Sequence, residues 1–192
     1  TRRMKNNKMN VLFLSNMIPE KGVWTIVEAA KILHGKELPV EFHFVGKWSD
    51  ITEEMFKRAL IESHLEDVCF AHGGKYGKEK DEFWAAADVF VFPTFYHNEC
   101  FPLVLLEAMQ HHLPCISTTE GGIPGIIDDK ETGFLIEKHD FQTLADKLEY
   151  FIEHPEESER MGENGYRKFY DKFTLRKFEE SMVDILNDCL KG

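Results

Sequence analysis

Short apolar runs alternate along this chain with longer stretches of helical period. Residues 10–15 (NVLFLS) predict a strand, and residues 20–33 a helix with Val23, Ile26, Val27, Ala30 and Leu33 on one face. Residues 40–46 (VEFHFVG), 67–71 (DVCFA), 88–92 (DVFVF) and 114–118 (PCIST) predict further strands, and 134–136 a short one. Helical periodicity marks 52–64, 78–87 and 102–111, with a short helix expected after Gly122. The end of the chain is helical in pattern over 140–153, 155–170 and 174–190. Strand–helix alternation of this kind implies βαβ units, hence an α/β fold with a mostly parallel sheet covered on both faces. Right-handed crossovers make it doubly wound and Rossmann-like. Ligands of such sheets bind at the carboxyl ends of the strands, here the loops at 15–21, 46–50, 71–77, 93–101 and 118–124.

Composition narrows the function classes. The 192 residues suit one domain, expected over 10–192 after a linker or expression leftover at 1–9. A net charge of −11 argues against a nucleic-acid partner, which needs a basic face. It does not exclude one phosphate ligand held by a Lys and a helix N-terminus. The four cysteines, Cys69, Cys100, Cys115 and Cys189, form no CxxC pair and read as small buried hydrophobes of a reducing compartment. No run reaches the roughly 20 apolar residues of a transmembrane segment. A GxGxxG motif is missing after the first strand, where the chain reads SNMIPEKG, and Gly73-Gly74-Lys75 lacks P-loop spacing. Dinucleotide oxidoreductases and P-loop NTPases are thereby disfavoured.

The densest chemistry lies in residues 93–125, PTFYHNECFPLVLLEAMQHHLPCISTTEGGIPG. Pro102 suits the first turn of a helix, where no N–H is needed. The amides around Phe101–Val104 then form an anion site. Glu107 stands among Leu105, Leu106, Ala108 and Met109. A carboxylate there needs hydrogen-bond donors, and sugar hydroxyls are suitable ones.

Glu99 and Glu107 make an E-x7-E pattern, followed by Leu113-Pro114 and Gly121-Gly122-Ile123-Pro124. Lys21-Gly22 and the run Ala87–Pro93 stand upstream. Together these motifs resemble the C-terminal, donor-binding domain of the group-1 retaining glycosyltransferases of GT-B fold, over about residues 10–173. The resemblance implies transfer of a sugar from a UDP- or GDP-sugar, with no cofactor and no metal. Glu99 would contact the donor sugar near its reacting end as the catalytic-site residue. Phe101, Pro102 and Leu103 would lie along the sugar and diphosphate, with the Leu103 amide donating. Glu107 would hold the ribose hydroxyls, Lys21 the diphosphate, and the loop 71–74 with Gly73 would lie near the base. His97 is a further candidate contact.

Three positions depart from the family pattern. Asn16 stands where an Arg commonly shares the diphosphate, so one charged contact is lost unless Lys47 or Lys75 substitutes. Gly125 stands where Glu is usual, with a local effect on the loop expected. His112 stands where Gly commonly ends the helix, a position His tolerates. Nothing in the chain corresponds to the acceptor domain that precedes the donor domain in such enzymes. The chain is therefore expected to be one half of a parent enzyme, inactive alone, with the N-terminal acceptor domain as its partner. A closing helix with Phe178, Met182, Ile185 and Leu186 would either pack on this domain or present an apolar stripe to that partner. The expected location is cytoplasmic, or membrane-peripheral in the parent. The alternative is a non-catalytic interaction module on the same fold that has lost donor binding.

Overall fold

The computed structural model describes residues 7–174 and Lys177. Among them six strands form one sheet: β1 (Met9–Leu14), β2 (Val40–Val45), β3 (Cys69–Ala71), β4 (Val89–Phe92), β5 (Cys115–Thr118) and β6 (Gly133–Ile136). All neighbours pair parallel, in the order β3-β2-β1-β4-β5-β6. The helices are α1 (Val23–Gly35), α2 (Glu53–Glu62), α3 (Gly77–Ala86), α4 (Leu103–Gln110), the single turn α5 (Ile123–Ile126), α6 (Phe141–Glu153) and α7 (Pro155–Lys172). The chain winds outward from β1 to β3, then returns to the other side of β1 for β4. The sheet is thus the expected doubly wound, Rossmann-like one, and its topological switch point lies between β1 and β4.

The strand sequences follow from burial on two faces. All four residues of β4, VFVF, are buried, as a central parallel strand requires. Phe44 of β2 meets Phe56 of α2 at 4.9 Å between ring centroids, while Trp84 of α3 meets Phe90 of β4 at 5.1 Å. Helix α6 packs on α1, and α7 on α4. Local signals set the helix starts. The Thr52 hydroxyl accepts from the Met55 amide, the Asp140 carboxylate accepts from the Thr143 amide, and Pro155 opens α7.

Two element starts differ from the sequence pattern by two residues or more. Glu20 and Lys21 do not belong to α1. They lie in a one-turn 3-10 helix, Pro19–Lys21, that Gly22 at φ 90 separates from α1. Strand β3 begins at Cys69 because the Val68 and Cys69 amides both turn back to the Leu65 carbonyl. The helix expected over 174–190 falls almost entirely outside the described residues, as do Phe178, Met182, Ile185, Leu186 and Cys189. Cys69 and Cys115 are buried as expected, and burial pushes both thiols up, that of Cys69 to about 12. Cys100 is exposed, against expectation, because it sits on the loop after β4. Among the described residues no helix is long and apolar enough to cross a membrane.

Candidate functional site

Parallel pairing of β1 with β4 sends their following loops out side by side at the switch point. Gly22 makes this approach possible: a Cβ there would lie 2.3 Å from the Pro93 carbonyl oxygen, and its φ of +90° disfavours any side chain. The Phe95 amide donates to the Glu20 carbonyl at 2.8 Å. Across this seam the Lys21 Nζ meets Glu99 Oε2 at 2.6 Å, with side-chain exposures of 16% and 10%. The Thr94 hydroxyl lies 3.0 Å from the same carboxylate oxygen and 3.2 Å from the Glu20 carbonyl, so its one proton serves one of the two. The Lys21 ammonium also stands 4.4 Å from the ring centre of Tyr96 and 5.6 Å from that of Phe92. Such faces stabilise a partly desolvated cation.

The loop after β5 closes a second side. Gly121 has φ +48°, and a Cβ on it would fall 1.5 Å from the Glu99 carbonyl oxygen. The Gly122 amide donates to the Cys100 carbonyl at 2.9 Å. Thr118 and Ser117 hydroxyls donate to the carbonyls of Thr94 and Phe92 at 2.5 and 2.6 Å. The loops after β1 and β5 therefore hold, from two sides, the loop after β4 that carries Glu99. Glu120, buried between them, pairs with Lys138.

Helix α4 starts at the same edge. Pro102 is its N-cap, in extended conformation and with no side-chain cap, so the first amides of α4 are open to an anion. Pro102 is buried, while Phe101 and Leu103 are 47% and 66% exposed. One turn on, Glu107 is half-buried and its Oε2 pairs with the Lys80 ammonium of α3. On the other flank, Asn16 is exposed at the end of β1. Gly46 approaches so closely that a Cβ would lie 1.7 Å from the Ser15 carbonyl oxygen, and its amide donates to the Gly73 carbonyl at 2.9 Å. Gly73 itself has φ +69°. The Lys75 ammonium is turned to Glu79 at 3.3 Å, and that of Lys47 lies 5.6 Å from the Tyr76 ring. His97 is exposed beside Tyr96.

Of the residues expected from sequence, Lys21 and Glu99 are in contact. Phe101, Pro102, Leu103 and Glu107 share one helix start. Asn16 and Gly73 line the flank toward β2 and β3. Sequence reasoning missed Thr94, Tyr96 and Lys80. Thr94 was the one with a local signal, a hydroxyl directly after the strand-ending Pro93. His112 adopts the left-handed conformation, φ 58°, that ends α4, and its Nδ1 lies 2.9 Å from Glu163. At Gly125 an added Cβ would meet nothing within 4 Å, and its carbonyl accepts from the buried Lys168 ammonium at 3.2 Å. Among the described residues no three His, Cys, Asp or Glu side chains form a group able to hold a metal ion.

A second polar cluster lies on the α3 face of the sheet. His43 Nδ1 and His72 Nε2 are 3.0 Å apart, their rings within 18° of parallel, which fits an N–H···N bond between neutral imidazoles. They line a groove of about 260 Å³ with Asn10, Leu12, Glu41 and Phe83. Burial, then the neighbouring His43 and Lys75, lowers the His72 pKa to about 4. Burial also lowers that of His43, against the pull of Glu41. An unfolded His titrates near 6.5, so between about 6.5 and 4 the unfolded chain binds more protons. The stability contributed by the neutral pair is therefore complete above about pH 6.5 and lost as pH falls through about 4. Partial exposure limits the effect to on the order of 1 kcal/mol. Urea unfolding midpoints from pH 7 to 4.5 should fall less steeply in His72→Gln than in the parent; parallel curves would refute the assignment.

With this geometry in view, known proteins give a consistent match. A model of the family "Glycosyl transferases group 1" matches residues 2–168. The N-acetyl-alpha-D-glucosaminyl L-malate synthase of Bacillus anthracis is 31% identical over 190 residues, covering 95% of this chain and 47% of that protein. The capsular polysaccharide biosynthesis glycosyltransferase CapM of Staphylococcus aureus is 27% identical over 191 residues, covering 98% and 48%. The chain thus spans about half the length of these relatives. The C-terminal domain of a glycosyl transferase group 1 family protein (LpcC) from Francisella tularensis superposes with a TM-score of 0.76 at 26% identity, covering 88% of this chain and 87% of that domain. Anabaena Alr3699/HepE in complex with UDP-glucose has the same fold, with a TM-score of 0.81 at 20% identity, covering 95% and 49%.

Proposed function

The chain belongs to the group 1 glycosyl transferases, and from that premise we propose that it is the donor half of a retaining enzyme that moves a sugar from a nucleotide to an acceptor. The observation that carries the reading is the Lys21–Glu99 pair at the switch point, beside the uncapped start of α4. A nucleoside diphosphate entering there brings negative charge toward Lys21 and the first α4 amides. The ammonium has three donors, so it can keep Glu99 while reaching a phosphate oxygen. As the sugar departs, charge grows on the diphosphate, and a fixed cation and helix start stabilise it most at that moment. Glu99, held by Lys21 and Thr94, offers its remaining lone pairs to hydroxyls of the sugar. Glu107 offers the same to the ribose. Lys47, whose carbonyl accepts from the Met17 amide and whose ammonium lies over the Tyr76 ring, is the candidate for the charge that Asn16 does not supply. The acceptor side belongs to the partner domain of the parent protein. The UDP-glucose complex of the HepE fold relative supports a UDP-sugar as donor.

Calorimetric titration of the chain with UDP, GDP and ADP in the presence of EDTA tests this. Binding of at least one of them at millimolar concentration or below is expected. No heat from any of the three would sink the donor-site reading and favour a non-catalytic interaction module.

A further inference from the structure

The Lys80–Glu107 pair differs from the ion pairs made within a single helix. Lys57–Glu53 and Arg58–Glu54 are i,i+4 pairs on the surface of α2, with side chains 55% to 82% exposed, and contribute little. Lys80 and Glu107 are 27% and 35% exposed and join two separate helices, α3 and α4, that enter the candidate site from different loops. Helical side chains lean toward the helix N-terminus, so Glu107 on the second turn of α4 is directed toward the same edge as the open amides. Its Oε2 is taken by Lys80. A carboxylate has about four acceptor positions, so Oε1 stays available to two donors at once. A long, unbranched Glu loses orientation easily, and holding it costs side-chain entropy. An ammonium fixed by its own helix meets that cost before the ligand arrives.

We propose that Lys80 is a positioning residue for nucleotide recognition, holding Glu107 so that its second oxygen accepts both ribose hydroxyls. Because α3 follows the Gly73–Tyr76 loop, Lys80 also ties the base side of the site to the ribose side. The inference rests on the reading that Glu107 meets the ribose. Lys80 touches the ligand only through Glu107, so its effect must appear in discrimination between ribose and deoxyribose and not merely in overall affinity.

The test is the ratio of dissociation constants for 2′-deoxy-UDP and UDP, repeated with the GDP and ADP pairs. Removing one hydroxyl that bonds a carboxylate should weaken binding about tenfold in the parent chain. In Lys80→Met the ratio should fall to about threefold or less, and Lys80→Arg, which keeps a donor, should restore most of it. The ratio cancels the general loss of one positive charge. An unchanged ratio in Lys80→Met would make the pair a surface contact and overturn the proposal. Tighter UDP binding in that variant would make Lys80 a competitor of the ribose and overturn it as well. Glu107→Ala separates the two readings. If it keeps the parent ratio, the ribose assignment itself is wrong. If it abolishes discrimination while Lys80→Met does not, only the role of Lys80 fails. Both partners are a quarter to a third exposed, so the variants should fold, and their melting curves provide the check.

Discussion

Gly121→Ala is expected to abolish nucleoside-diphosphate binding and to destabilise the fold by about 3 kcal/mol. Two effects add. The φ of +48° is a left-handed conformation that costs an Ala about 1 kcal/mol or more. The new Cβ would also lie 1.5 Å from the Glu99 carbonyl oxygen, which is backbone and cannot swing away like a flexible side chain. Either the loop after β5 backs off, losing the Gly122–Cys100 hydrogen bond, or the Glu99 peptide moves. Movement of that peptide carries the carboxylate away from Lys21 and Thr94. Gly125→Ala, four residues on, is the matched control. Its Cβ would meet nothing within 4 Å, and Ala is the better helix former, so stability should change by less than about 1 kcal/mol and binding should persist. Urea unfolding and UDP calorimetry on both variants decide the matter. A Gly121→Ala protein that melts and binds like the parent would mean that the loop after β5 does not hold Glu99.

How much of this was legible in the sequence depends on how local each cause is. The VFVF of β4 is apolar because both faces of a central parallel strand are covered, so the run itself announces its place. Pro102 marked the start of a helix by its residue type, although it proves to be the N-cap of α4 and not part of its first turn. Lys21 and Glu99 were named through the motif resemblance, and their contact depends on β1 lying beside β4, which the alternation of elements implies but does not state. Gly22 illustrates the limit. Read along the chain, it continues a helix; in the fold its φ of +90° breaks one, and the Pro93 carbonyl occupies the space that a Cβ would need. Thr94 and Gly121 owe their roles to groups that come near only after folding. Lys80 was invisible for the same reason, since nothing in GKEKDEFW distinguishes it from Lys78. Cys100 was misread because composition favours buried cysteines and says nothing about the loop that exposes this one.

Lys21→Met should lower nucleoside-diphosphate affinity by more than about tenfold, the loss of one charge-assisted contact to phosphate. The same change leaves Glu99, 9% exposed, with the Thr94 hydroxyl but no cation. Breaking a buried pair from one side costs more than removing both partners, because a desolvated carboxylate remains. The pair is not fully buried, so a destabilisation of about 2 kcal/mol is expected, below the 3–5 kcal/mol of a deep pair. Lys21→Met combined with Glu99→Gln should recover at least half of that stability, since an amide can bond Thr94 without carrying charge. Binding should not recover in the double variant, because the cation for the phosphate is still missing. This split separates two roles that the structure joins in one residue: Lys21 as counter-ion of Glu99 and Lys21 as counter-ion of the ligand. If the double variant regains stability and binding together, Lys21 serves the fold alone. If it regains neither, the pair is held by the loop network around Thr94 and Gly121, and the ammonium is no longer what keeps Glu99 in position.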